Sequence, residues 1–319
     1  MNGILRRLHT AGILSMNRRN LDYIQRHNPR RLYPLVDDKL ITRERAIAND
    51  IAVPETFAVI ETEHQNRRLG ELLDTHEDFV IKPAHGSGGN GILVIHECMG
   101  QDPRTTYIRG DGRPMTIDAL RFHVSNILSG LYSLAGSSDR AIIEYRVKPD
   151  PLFRHVSFRG IPDIRMVVYR GVPLMAMLRL PTSRSGGKAN LHQGAIGVGV
   201  DMHSGLTGHG VHYERPVKRH PDTGHALDGL QLPNWETLLL LAARCHDFTG
   251  LGYLGVDVVL DPTHGPLLLE LNARPGLSIQ LANHCGLLHR LRKADEIGPI
   301  PANPEQRVIL GREIVSQTG

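Results

Sequence analysis

Residues 255–276, GVDVVLDPTHGPLLLELNARPG, constrain the fold more than any other stretch. Two apolar runs flank Pro-Thr-His-Gly, a pattern that predicts a β-hairpin turning over Pro262–Gly265. With a four-residue loop Asp261 opposes Pro266, Asp257 opposes Glu270 and Gly255 opposes Asn272. Alternation then puts Asp257, Glu270 and Asn272 on one side. The other side carries Val256, Val258, Leu260, Leu267, Leu269 and Leu271 as a continuous core face. A one-residue slip would bury the acids, so the apolar pattern itself selects this register. Two carboxylates and an amide oxygen in such a group suit a hard cation, as Mg²⁺ takes oxygen ligands. An exposed polar face on an edge hairpin is the plainer alternative. Arg274 follows Asn272 by two residues, so an extended chain would place its guanidinium on the metal's side.

The second constraint is Gly86-Ser87-Gly88-Gly89-Asn90-Gly91, which spells G-x-G-x-x-G. In a dinucleotide fold that motif runs from a strand into a helix. Here the strand Phe79–Pro83 leads in, and Ile92-Leu93-Val94-Ile95 reads as another strand. No Lys-Ser/Thr pair follows Gly91, so it is not a Walker A loop either. Four glycines in six residues exceed what a hairpin needs. They suit a flap whose backbone N–H groups fold over phosphates, with the Lys82 charge at its base. A plain glycine-rich turn is the competing reading.

The remaining pattern alternates hairpins with helices, which predicts an α+β fold with antiparallel sheets rather than a doubly wound parallel one. Helices are expected over 37–49 (Thr42 a cap), 65–75, 118–134 and 235–248, the last ending at Gly250. Strands are expected over 57–60, 141–147, 164–170, 172–180 and 196–200, with a hairpin over 106–116 tipped by Asp111-Gly112. Residues 203–232, rich in Gly, His and Pro, read as loop, and so His209 and His212 are not expected to pair on a metal. The boundaries drawn are 1–37 (helical segment), 38–147 (smaller lobe), 148–300 (larger lobe with the metal site) and 301–319 (tail).

Composition narrows the function classes. The 319 residues carry 37 Lys and Arg against 33 Asp and Glu, a net charge of +4. The excess gathers early, where Arg6, Arg7, Arg18, Arg19, Arg26, Arg30 and Arg31 face only Asp22. Such a patch could draw nucleic acid, anionic lipid or an acidic substrate, or be a solvated helix face. Aromatic residues make up 5% of the chain, too few for base-stacking platforms, and nucleic acid is not an expected partner. No apolar run approaches the ~20 residues that span a bilayer. The basic start allows a targeting or membrane-surface segment, but a docked helix is the expectation. Cys98, Cys245 and Cys285 form no pair by spacing, pointing to a reducing, cytoplasmic setting.

These motifs together resemble the ATP-grasp superfamily from about Asp38 to Gly276. Within it the chain is most similar to the α-L-glutamate ligase-related and sugar-transfer associated proteins. The resemblance implies two α+β lobes clasping ATP. Asp38-Lys39 resembles the family's leading segment, making Lys39 a phosphate ligand, and Lys82 resembles the second phosphate lysine. His85 to Gly91 resembles the flexible phosphate loop. In the hinge-like strand, Glu144 would accept the adenine amino group, with Tyr145, Arg146 and Val147 reading the ring edge. Asp150 is the ribose candidate. Asp163-Ile164-Arg165, Arg179 and Asn190-Leu191-His192-Gln193-Gly194 resemble D-x-R…R…N-L-H-x-G-G, departing at Ala195. Asp257, Glu270 and Asn272 match the metal ligands, for Mg²⁺ or alternatively Mn²⁺.

The activity implied by this resemblance is that of an ATP-dependent carboxylate–amine ligase working through an acyl phosphate, with glutamate or peptide substrates. Arg165, Arg179 and Arg274 would bind the carboxylate and its oxyanion. A ligase on a sugar or cell-envelope precursor, an ATP-dependent phosphotransferase, and an inactive partner-binding relative are the alternatives. Family members carry an N-terminal domain on the acceptor side, whereas 37 residues precede Asp38 here. The acceptor pocket is therefore expected to be built differently, with a homo-oligomer or a partner chain at the N-terminal segment as ways to complete it.

Overall fold

In the computed structural model, residues 10–86, 88–100, 106–133 and 136–318 are described. They form two compact units: a larger one from the described residues of 10–37, 41–53 and 148–318, and a smaller one from those of 38–40 and 54–147. Residues 41–53 thus group with the larger unit, not with the rest of 38–147.

The smaller unit holds an antiparallel sheet in the order β1-β6-β2-β3-β4-β5. Its strands are β1 (Thr56–Ile60), β2 (Phe79–Pro83), β3 (Leu93–Met99), β4 (Thr106–Arg109), β5 (Pro114–Met115) and β6 (Ala141–Glu144). Helix α1 (Lys39–Ile47) begins in this unit and continues in the larger one. Its Thr42 is no cap: the buried hydroxyl donates to the Leu35 carbonyl at 2.8 Å. The helix expected over 65–75 is broken at Arg68 into α2 (Glu63–Arg67) and α3 (Leu69–Leu73). A Thr62–Gln65 capping box starts the first of these two residues early. Helix α4 (Ile117–Leu128) buries Leu120, Val124 and Ile127 at helical spacing against Phe79, Ile81 and Ile143 of the sheet. It stops at Ser129, short of the predicted 134, because Gly130 turns left-handed.

The larger unit holds a second antiparallel sheet, β11-β10-β9-β8-β7-β12-β13. Its strands are β7 (Asp163–Tyr169), β8 (Val172–Leu180), β9 (Ile196–Val200), β10 (Thr207–His212), β11 (Arg215–Val217), β12 (Tyr253–Asp261) and β13 (Gly265–Asn272). The hairpin β10–β11 lies within the 203–232 stretch read as loop. Ile164, Met166, Val168, Leu254, Val256 and Val258 face α5 (Trp235–Thr249) in one core. On the opposite face, Val167, Tyr169 and Tyr253 join a second core with α6 (Ile279–Ala282) and α7 (Leu288–Glu296). The 301–319 tail is a packed helix, α8 (Pro304–Thr318), whose Gly311 lies so close to β8 that a Cβ would come within 2.4 Å of the Pro173 carbonyl. The N-terminal helical stretch, π-helical over Arg19–Ile24, buries Tyr23 and Ile24 against that second core. Among the described residues no helix is long and apolar enough to cross a membrane.

The β12–β13 hairpin pairs Gly255 with Asn272 and Asp257 with Glu270, as the apolar pattern requires. The turn is shorter than expected, however: Asp261 pairs with Gly265, not Pro266, and a bulge at Leu269 restores the register. Past that bulge Leu268, not Leu267 or Leu269, joins the core beside Val258.

Candidate active site

Alternation along β7 and β12 builds the charged end of the larger unit. Asp163, Arg165, Val167 and Tyr169 share a face, as do Asp257, Gly255 and Tyr253, so each strand runs from charged to apolar on one side. Arg165 pairs across the sheet with Asp257, and Asp163 pairs with Arg179 of β8. The side chains complete the grid. Arg165 grips Asp257 through Nε at 2.6 Å and a terminal nitrogen at 2.5 Å. Arg179 makes a bidentate pair with Asp163 and reaches Asp257 Oδ2 at 2.8 Å. The Asn272 side-chain amide donates to the same oxygen at 3.3 Å.

Asp257 is 0% exposed, so its charge survives only because of these partners. Burial alone would raise its carboxyl; the Arg165 and Arg179 guanidiniums outweigh it and hold the group below the usual carboxylate range. Asp163 goes the other way, pushed up to about 6 by burial and by the Asp257 charge, against the pull of Arg179. Glu270 makes no hydrogen bond or close ion pair among the described residues, and its charge reinforces the protonated state of Arg179. Asp163, Asp257 and Glu270 against Arg165 and Arg179 leave one excess negative charge. That excess, with two carboxylates and an amide on adjacent strands, fits a divalent oxygen-seeking ion. Among the described residues no three His, Cys, Asp or Glu side chains form a metal cluster, so the amide would be part of any such donor set.

Arg274 is not aligned with Asn272 as a continuing strand would have it. β13 ends at Asn272, the chain bends, and the exposed Arg274 lies over the Tyr33 ring at 5.2 Å. Asp150 caps the 3₁₀ turn Pro151–Phe153, accepting from the Leu152 N–H at 2.9 Å. Asn190 likewise caps Leu191–Gln193, accepting from the His192 N–H at 3.0 Å.

In the smaller unit the glycine segment joins two strands, as expected. Gly88, Gly89 and Gly91 take φ of 63°, 75° and 75°, which glycine alone adopts freely. Ser87 lies outside the described residues, and Asn90 sits in the turn. Lys39 donates to the Gly86 carbonyl through Nζ, and its backbone N–H to Ala84 O at 3.1 Å. Lys82 and Glu144, on neighbouring strands, form a buried ion pair at 2.7 Å. The Tyr145 N–H donates to Glu55 O at 2.8 Å, the Arg146 side chain pairs with Asp78 at 2.7 Å, and Val147 is buried. His85 is held between carboxylates, Nδ1 at 2.8 Å from Asp139 and Nε2 at 3.4 Å from Asp38, which also pairs with Arg140. The sequence reading missed Asp139 and Arg140. They stand 54 residues or more from their partners and carry no local motif.

No curated protein matches the sequence. Solved structures similar to it include the ATP-grasp ligase PsnB complexed with a minimal precursor, at 12% identity and a TM-score of 0.42 over 92% of this chain. The D-alanine–D-alanine ligase of Bacillus anthracis matches at 13% identity and 0.44, over 90% of this chain and 68% of its own. A RimK domain ATP-grasp protein of Sphaerobacter thermophilus matches at 15% and 0.44, over 81% and 69%. The chain spans 64% of the length of PsnB. Residues 18–296 match the sugar-transfer associated ATP-grasp family. The chain belongs to that family.

Proposed function

We propose that this protein is an ATP- and Mg²⁺-dependent carboxylate–amine ligase that makes an amide through an acyl phosphate. The observation that carries this reading is the cluster of buried Asp163, Asp257 and Arg179 with partly buried Arg165 and Glu270, with its one excess negative charge and with Asn272 on its edge. Lys39, Lys82 and the glycine segment are the candidate phosphate ligands, and Glu144 to Val147 with Asp150 those for adenine and ribose. Asp257, Glu270 and Asn272 would hold Mg²⁺, which when bound neutralises phosphate charge and polarises the transferring phosphoryl group.

A carboxylate is a poor electrophile at neutral pH. Its attack on the γ-phosphorus releases ADP and creates a good leaving group, and an amine then displaces phosphate. Arg165 and Arg179 hold the Asp257 carboxylate in one orientation. They also place fixed positive charge where anionic oxygens would gather, so little reorganisation is needed as the reaction proceeds. Arg274 makes no ion pair among the described residues and is the guanidinium left to meet the substrate carboxylate or the oxyanion.

A variant of the same chemistry takes a sugar or cell-envelope precursor as its substrate; the sugar-transfer association in the family's description supports the sugar form of it. ATP use and three free cysteines suit a reducing compartment such as the cytoplasm. The test is ADP release across a panel of acids and amines, with mass spectrometry of the product. Release that requires both an acid and an amine supports the ligase. Release with an acid or alcohol alone would make the protein a phosphotransferase.

A further inference from the structure

A concavity of about 300 Å³ lies in the larger unit, at the lower end of the range for small-molecule sites. Leu191 and His192 line it from the 3₁₀ turn, Val211 from β10, and Ser278 and Leu281 from around α6. The tip of the β10–β11 hairpin, Tyr213 and Glu214, completes the lining.

That tip is strained. His212 pairs with Arg215, so Tyr213 and Glu214 are the two central residues, with φ of 47° and 65°. Such turns favour Asn-Gly, and a bulky aromatic in the left-handed region is a backbone outlier. Strain kept beside a pocket points to a use for the side chains it presents. The neighbouring turn is shaped to receive them. A Cβ on Gly194 would meet the Tyr213 hydroxyl at 2.3 Å, and His212 Nε2 lies 3.0 Å from the Gly194 carbonyl. Tyr213 nonetheless stays 51% exposed and Leu281 44%.

Position links the pocket to the charged cluster. Val211 pairs with Gly197, and Gly197 with Arg179, all on one sheet face. The pocket floor is therefore two strand spacings, roughly 10 Å, from the Arg179 backbone. A group bound there is recognised at a distance from the reacting atoms. Its chemistry is set by the lining: an apolar surface from Leu191, Val211, Leu281 and the Tyr213 ring, and a rim of Glu214, Ser278 and His192. The lining contains a carboxylate and no Lys or Arg, so anions are disfavoured.

We propose that this pocket binds the distal ring of the substrate, an uncharged or cationic ring with an apolar face and hydroxyl or amino donors on its edge. Hexosamines and hydroxylated aromatic amines share that chemistry. The assignment of the ring to a ligase substrate rests on the proposed function; the pocket's ligand preference does not.

The test uses saturation-transfer NMR and calorimetry on the full chain. The probes are glucosamine, N-acetylglucosamine, tyramine and, as the anion, glucuronate. At least one of the first three should bind at millimolar concentration, and which of them does so separates sugar from aromatic. Glucuronate should not bind. If a cationic probe binds, Glu214→Gln should weaken it about five-fold or more, the scale of one charge-assisted contact. Replacing the tip by Tyr213→Asn with Glu214→Gly supplies the preferred turn pair. It should raise the melting temperature by roughly 2–4 °C while abolishing probe binding, a combination a purely structural tip would not give. The proposal is overturned if no probe binds the natural protein, if glucuronate binds as well as the others, or if the altered tip binds as before. Ring binding without ADP release for any acid and amine would remove the ligase reading and leave the pocket. ADP release without ring binding would do the reverse.

Discussion

Asp257 and Arg274 show how the same chemistry can be committed or free. Asp257 has both oxygens occupied by guanidiniums, so removing its charge leaves Arg165 and part of Arg179 unpaired. Breaking a buried pair of this kind costs about 3–5 kcal/mol. Arg274, exposed over Tyr33, can be removed without orphaning a carboxylate. Arg274→Ala should therefore leave stability and ATP affinity within a few-fold but lower turnover by roughly 10²-fold, the scale of losing one oxyanion donor. Turnover at the natural rate would move that role to Arg165 or Arg179. His220 yields a pH prediction of its own. It is buried, its Nδ1 accepts from the Asp222 N–H at 3.2 Å, and Nε2 lies 2.9 Å from the Pro181 carbonyl, so the neutral ring has both nitrogens satisfied. Burial first, and then the charges of His212 and His225, lower its pKa despite Pro181 and Asp222. A histidine with a depressed folded pKa binds more protons when unfolded. It therefore subtracts stability as pH falls below the ordinary value of about 6.5, and the loss levels off below the folded pKa. Chemical denaturation of His220→Gln at several pH values should show a smaller loss between neutral and mildly acidic pH than the natural protein; an equal loss would mean that other groups carry the acid sensitivity.

At the scale of elements, the glycine segment between β2 and β3 makes the sharpest claim. Three of its glycines hold positive φ, and a Cβ at Gly91 would meet the Tyr132 ring at 2.6 Å, so the turn depends on glycine for shape as well as freedom. Hydrogen exchange over residues 84–91 should be fast without nucleotide and slow on adding ATP, as for a segment that closes over phosphates. Slow exchange that ATP leaves unchanged would make it a fixed turn. How far such elements can be read from sequence depends on how local their causes are. The alternation of β7 and β12 is local, and it predicts both the core and the charged face. The bulge at Leu269 was hidden because Leu267, Leu268 and Leu269 are identical, so composition cannot say which one leaves the ladder. The β10–β11 hairpin was hidden because its turn is Tyr-Glu where sequence rules look for Asn-Gly. In the candidate site Asp257, Glu270 and Asn272 could be grouped from the hairpin alone. The double hold of Arg165 and Arg179 on Asp257 needed β7, β8 and β12 in order, and that order is a property of the whole sheet.

For the molecule as a whole, the proposed roles divide between units that each have a sheet and a core of their own. The candidate phosphate lysines belong to the smaller unit and the candidate metal carboxylates to the larger. If both sets act on one nucleotide, calorimetry with a non-hydrolysable ATP analogue should find a single binding event per chain that Mg²⁺ tightens. Lys39→Met should weaken it about ten-fold, or about 1.4 kcal/mol, with or without metal, since a lysine–phosphate contact does not need the ion. Asp257→Asn should remove the tightening by Mg²⁺ and leave the metal-free affinity nearly intact, because a carboxylate that holds the ion acts only when the ion is there. The two substitutions thus differ in which condition they affect, and that contrast separates a loss of contact from a general loss of fold. Two binding events, Mg²⁺ tightening that persists in Asp257→Asn, or NAD binding as well as the ATP analogue would each break the assignment. The last outcome would return the G-x-G-x-x-G segment to a dinucleotide role, although its strand–turn–strand setting lacks the helix N-terminus on which pyrophosphate recognition depends.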